Sequence, residues 1–263
     1  RQVSDVYAAA KKADRPLVFF EHFSNSAITD ECEGTNVEGN ITNNFNNGAW
    51  NPNSLPGSVG QYWEALYEGI RKANLIIENV QKYNTPDNPQ QDGDLRNRIG
   101  EMYFMRGYFH MLLLRMYGEA PYIDRVINAG DNMDFKKESV HSMVEKIVTD
   151  AQTAYGMVPN KYVKTSENFG RVDKGACLGL ISFVRWVAAT PLWNGASQYG
   201  YNLRRVFENE YAYDATRWRK AKEAAKAVLD FEVGGTKRYS LYTKHDANDF
   251  KAVSYTHLTL PTT

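Results

Sequence analysis

A chain of 263 residues with 31 basic and 31 acidic side chains carries no formal charge excess, so neither nucleic acid nor an anionic membrane surface is an obvious partner. Its two cysteines, Cys32 and Cys177, are too few for a disulfide framework or a zinc site. No charge-free apolar run reaches the roughly 18 residues of a transmembrane helix. The hydrophobic fraction of 43% allows a sizeable core, in one large domain or two small ones.

Residues 1 to 15 hold a short amphipathic piece around Val6 to Ala10, and Leu17-Val18-Phe19-Phe20 forms a brief apolar run. From Asn25 to Gly60 the composition turns to Asn, Gly, Ser, Pro and acids, which reads as a long loop. Helical periodicity begins at Gln61, with Tyr62, Leu66, Ile70, Ala73, Ile77 and Val80 recurring at steps of three and four. After a connector rich in proline, the stretch from about Leu95 to Tyr117 is apolar all round, which predicts a central helix packed on several faces. Arg106 and Arg115 interrupt it and need either partners or a route to water. Gly118 is placed to end that helix in the left-handed conformation, and Pro121 forbids its continuation.

Lys137 to Tyr155 predicts a further helix, with Ser139 and Ser142 as rival caps. Lys174 to Ala189 predicts another, with Cys177 read as a small buried thiol and Pro191 beyond its end. A second Asn, Gly and Tyr loop runs from Trp193 to Leu203, and a last helix from about Thr216 to Phe231. Trp63 and Trp218 sit on helix faces and are expected in the core. The paired helices are similar to tetratricopeptide hairpins without a countable period, so the expected fold class is all-α with long loop excursions.

The run Tyr62-Trp63-Glu64-Ala65-Leu66-Tyr67-Glu68-Gly69-Ile70-Arg71-Lys72-Ala73-Asn74 resembles the first signature helix of the SusD/RagB-like outer-membrane glycan-binding lipoproteins. Gly100-Glu101-Met102-Tyr103-Phe104-Met105-Arg106-Gly107-Tyr108-Phe109 resembles the second, leading into a Tyr-Gly-x-x-Pro ending at Tyr117 to Pro121. Ile147, Asp150 and Val158-Pro159, then Phe169-Gly170-Arg171-Val172 through Pro191-Leu192, then Tyr213, Trp218, Ala221 and Ala225 follow in the family's order.

That resemblance implies a tetratricopeptide-like helical superhelix on the cell surface, lipid-anchored to the outer membrane. It further implies oligosaccharide or polysaccharide capture and delivery to a SusC-like TonB-dependent transporter, with neither catalysis nor a cofactor. Two departures stand out. The family's lipid-bearing cysteine is absent near the N-terminus, and so is its C-terminal part. Residues 1–253 are therefore expected to be the N-terminal portion of such a helical domain. Residues 254–263 read as a non-native tail from library-adapter sequence, or alternatively as a short strand.

Neutral glycans are held by stacking sugar faces on aromatic rings, while amides and backbone groups bond the hydroxyls. Trp50, Asn51 and Asn53 offer that chemistry just before the first signature helix, with Trp50 as sugar platform or as anchor of its own loop. Trp193, Asn194, Tyr199 and Tyr201 form a second candidate, where Trp193 also reads as an extension of the core helix before it. Asp30, Glu31 and Glu33 are acidic but lack the ligand pattern of a calcium loop, so no metal site is assigned. His110 reads as a satisfied core residue, and no His-Glu-x-x-His pair, phosphate loop or Gly-x-Ser-x-Gly elbow occurs. The rival functions are a tetratricopeptide scaffold that binds only protein, and a helical glycoside hydrolase with two spaced carboxylates.

Overall fold

Gly93–Tyr117 forms the helix on which the rest is assembled. Its sequence has no single apolar face, so it satisfies the hydrophobic effect only when neighbours cover several sides. In the computed structural model that is where it lies, with Met102, Phe109, Leu113 and Leu114 all sealed from water. The structure describes residues 2–13, 46–49, 51, 53, 57–83, 93–163, 165, 167–195 and 208–240.

Within these, six α-helices follow in order: α1 Gln2–Ala13, α2 Gly57–Tyr83, α3 Gly93–Tyr117, α4 Val140–Met157, α5 Lys174–Ala189 and α6 Ala215–Leu229. Each packs on the next in sequence, and α3 also touches α1 and α5. This nearest-neighbour stacking is the organisation of a helical superhelix. Among the described residues the one sheet is a two-stranded hairpin, β1 Glu232–Val233 and β2 Thr236–Lys237. Gly234 and Gly235 turn it at φ +62° and +75°, a conformation that other residues adopt only with strain. The sequence reading missed this hairpin and the 3₁₀ turn Glu208–Tyr211.

The caps explain the boundaries. Ser139 accepts from the Ser142 amide and starts α4, which decides between the two rival serines. Consequently α4 begins at Val140 rather than Lys137, and Glu138 instead bridges to Ala120. Asp173 starts α5 in the same way through the Ala176 amide. Gly118, at φ +70°, ends α3, its amide donating to the Leu114 carbonyl at 3.0 Å.

Two polar arrangements fasten the helices. Along α2, Tyr67, Arg71, Asn74 and Glu78 all reach the irregular segment after α3. Tyr67 donates to the Pro121 carbonyl, Arg71 to Ile127, Asn74 to Ile123 and Arg125, and Glu78 accepts from the Val126 amide. Deeper, Arg106 of α3 makes a two-pronged bond to Asp150 of α4 (2.7 and 2.5 Å) and also donates to Asn74 and the Asp124 carbonyl. The Tyr122 hydroxyl donates to the same Asp150 carboxylate at 2.6 Å. Arg115, the other interruption, projects outward, its guanidinium 5.7 Å from the Phe183 ring centre.

His110 stacks on Tyr122 with ring centres 3.7 Å apart. It donates from Nδ1 to the Arg106 carbonyl and accepts at Nε2 from the Ile123 amide. Both ring nitrogens are thus occupied, and burial pushes its pKa down to about 3, helped by the charges on Arg106 and Lys146. Cys177 is fully buried, and that burial pushes its thiol up to about 12. Trp218 departs from expectation. It is 43% exposed, because α6 buries Ala221 against its neighbour while the tryptophan lies on the adjoining face.

Candidate functional site

Both candidate loops leave helices that meet at one end of α3. The Tyr117 hydroxyl, in the last turn of α3, donates to the Val59 carbonyl in the first turn of α2 at 2.6 Å. The Trp63 ring packs edge-on against Tyr117 with centres 4.9 Å apart, and Tyr67 lies the same distance from Trp63. One residue beyond Tyr117, Gly118 lies against the Trp193 indole so closely that a methyl group there would come within 2.8 Å of it. The loop before α2 and the loop after α5 therefore start from the same corner of the superhelix, bordered by partly buried aromatics.

Asn51 and Asn53 are exposed, and the Asn53 amide donates to the Asn51 side-chain oxygen at 2.9 Å. This local bond engages the Asn51 side-chain oxygen and not its two amide donors. Trp50, Tyr199 and Tyr201 lie outside the described residues, as do Asp30, Glu31 and Glu33 and the 254–263 segment.

Trp193 is half-buried and wedged edge-on against Tyr211, with ring centres 5.3 Å apart. His141 bonds the Trp193 carbonyl at 2.8 Å. Burial and then the nearby Arg217 hold His141 down to about 4, so its ring is neutral at pH 7. Asn194 is buried, and its amide closes the loop onto α6. It donates to the Ala189 and Asp214 carbonyls and accepts from the Asp214 amide and Arg217. Its hydrogen-bonding capacity is fully engaged within the fold, so the side chain orients its loop here.

The sequence reading missed the part played by Tyr117, Trp63 and Tyr211 in bringing the two loops together. The Tyr-Gly-x-x-Pro ending gave only the point where α3 stops, and the partners Tyr117 meets there are set by folding. No cluster of three metal-ligating side chains gathers among the described residues, and no described helix is long and apolar enough to cross a membrane.

Helices that each pack on the next in sequence define the class, a tetratricopeptide-like superhelix. The particular family follows from comparison: residues 6–184 match the model of the SusD-like family described as starch-binding and associating with the outer membrane, and the chain belongs to that family. A SusD-like protein of Formosa agariphila is 28% identical over 129 residues, 49% of this chain and 24% of that protein. A solved SusD homologue from Bacteroides thetaiotaomicron superposes with a TM-score of 0.53 at 23% identity, over 72% of this chain and 32% of the other. A structure solved with xylogluco-oligosaccharide superposes at 0.51 with 19% identity, over 67% and 30% respectively. The chain thus spans about a quarter to a third of these relatives.

Proposed function

We propose that the full-length protein captures oligosaccharide or polysaccharide at the outer surface of the cell without cleaving it. It passes the glycan to a SusC-like TonB-dependent transporter and is held to the outer membrane by a lipid anchor. The observation that carries this reading is membership, over residues 6–184, of a family described as starch-binding and outer-membrane-associated. A xylogluco-oligosaccharide in a structure of the same fold is consistent with it.

In this reading Trp50 is the stacking platform and Asn51 and Asn53 bond the sugar hydroxyls. Trp193 shapes the opposite border of the corner, Asn194 orients its loop, and Tyr199 and Tyr201 extend it. An aromatic platform contributes most of the affinity, since each neutral hydrogen bond adds only about 1 kcal/mol net.

The test is a titration of full-length protein with a panel of neutral polysaccharides, followed by isothermal calorimetry on the best ligand. Trp50→Ala should weaken binding by about tenfold or more with unchanged thermal stability, as an aromatic contact of about 1.5 kcal/mol requires. Asn51→Ala should weaken it by about fivefold. A folded Trp50→Ala protein that binds every glycan as tightly as the parent removes the site assignment. Release of reducing sugar would replace capture with hydrolysis.

A further inference from the structure

Between the middle of α2 and the segment that follows α3 lies a cavity of about 520 Å³. Its walls are Ile70, Ile123, Ile127, Ala129 and Met133, with Tyr67 at one end. The wall opposite α2 is held in place by the side chains of Tyr67, Arg71 and Asn74, which bond its backbone carbonyls, so the cavity is formed before anything enters it. A pocket of that size, preformed and mostly apolar with a few polar groups at its edge, has the dimensions of a small-molecule site, about 300–1,000 Å³.

The edge is distinctive in charge. Arg71 and Arg125 both line it. Arg71 gives one bond to the Ile127 carbonyl and has no carboxylate partner among the described residues, leaving most of its five N–H donors unused. Arg125 is turned by Asp131, at 2.8 Å from one terminal nitrogen, and its plane lies 6.0 Å from the Phe135 ring centre. The single acid of the lining, Glu68, is held by Lys72 on its own helix at 2.7 Å. The mouth therefore presents Arg71, whose charge no described carboxylate meets, beside Arg125, which is ion-paired with Asp131, above an apolar interior.

We infer that this cavity binds a small amphipathic anion, with an apolar tail against Ile127, Ala129 and Met133 and a carboxylate or sulfate head between Arg71 and Arg125. Guanidinium groups bind planar oxyanions through paired N–H donors, and those bonds strengthen beside low-dielectric walls. A neutral sugar fits this chemistry poorly, because its hydroxyls would find few partners on the apolar walls. The inference stands apart from the glycan reading, which concerns the loops at the end of α3.

The experiment is calorimetric titration of the full-length protein below the micelle concentration of each probe: decanoate, decyl sulfate, decanol and decyl maltoside. The two anions should bind saturably at one site, and decanol at least tenfold more weakly. Arg71→Gln and Arg125→Gln should each weaken the anions about tenfold and leave decanol unchanged. Ala129→Trp, which fills the cavity from an exposed position, should abolish binding of both anions and decanol at unchanged Tm. Decanoate binding against decyl sulfate distinguishes a carboxylate from a sulfate head. Absence of saturable anion binding overturns the inference, as does anion binding that ignores the arginine and Ala129 variants, or tighter binding of decyl maltoside than of decanoate. Glycan binding by the loops should be unaffected by all three substitutions.

Discussion

Replacing Asp150 with alanine strands a buried guanidinium. Arg106 and Asp150 have side chains only 9% and 6% exposed. Of the four hydrogen bonds that Arg106 makes, two go to Asp150. The Tyr122 hydroxyl loses its acceptor in the same step. Breaking a buried ion pair from one side costs about 3–5 kcal/mol, because the remaining charge stays desolvated. The orphaned hydroxyl adds about 1–3 kcal/mol, so the loss should be about 4–8 kcal/mol. For a chain of this size each kcal/mol lowers Tm by about 2–4 °C, giving a fall of at least about 8 °C. Urea unfolding followed by far-ultraviolet circular dichroism measures the loss. A companion variant, Arg106→Met with Asp150→Leu and Tyr122→Phe, removes both charges and the hydroxyl together and should regain much of it. An Asp150→Ala protein less than about 1 kcal/mol below the parent, or a triple variant no more stable than the single one, would refute the account of this network.

His110 makes stability depend on pH. Its folded pKa lies near 3, below the ordinary value, so the unfolded chain takes up the proton first. Stability is complete above about pH 6.5 and declines as pH falls, by up to about 1.4 kcal/mol per pH unit from this residue. The urea midpoint should drop between pH 6.5 and 5, with a shallower slope in His110→Gln; parallel slopes would exclude His110 as the cause. Gly118→Ala should destabilise by about 1–2 kcal/mol or more, since it puts a side chain at φ +70° against the Trp193 indole; an unchanged Tm would contradict that. Gly69→Ala would place a methyl 2.6 Å from the Phe109 ring and should cost about 1–3 kcal/mol, read by the same melt.

How much of the fold the sequence made legible differs from helix to helix, for physical reasons. Helix α5 spans the residues expected, Lys174–Ala189, because Asp173 caps one end and Thr190-Pro191 closes the other. Likewise α3 stops at Tyr117, where Gly118 was expected to stop it. By contrast α2 starts at Gly57, four residues before Gln61, since Gly57-Ser58-Val59-Gly60 carries too little apolar pattern to reveal a helix. The pairing of Arg106 with Asp150 spans 44 residues of sequence. Periodicity records only which residues share a face of one helix, so such a partner is visible only after folding.

The same limit accounts for Trp218 and for the site. Spacing put Trp218 in register with Ala221 and Ala225, yet a shared face becomes core only where a second helix arrives to cover it. On α6 the contact with α5 is centred on Ala221, while Trp218 and Leu229, 43% and 62% exposed, lie beside it. At the loops the obstacle is reversed. Asn51 and Trp193 are far apart in sequence and belong to segments without periodicity. What the structure joins is the start of α2 and the segment after α5, with Tyr117 reaching Val59 while Gly118 admits the Trp193 indole. A reading confined to composition can nominate aromatics and amides for sugar binding, but their convergence depends on the helix ends that carry them. That is why the helix-ending Tyr117-Gly118 pair, and not the loops themselves, is the place in this sequence that marks where the start of α2 and the end of α5 meet.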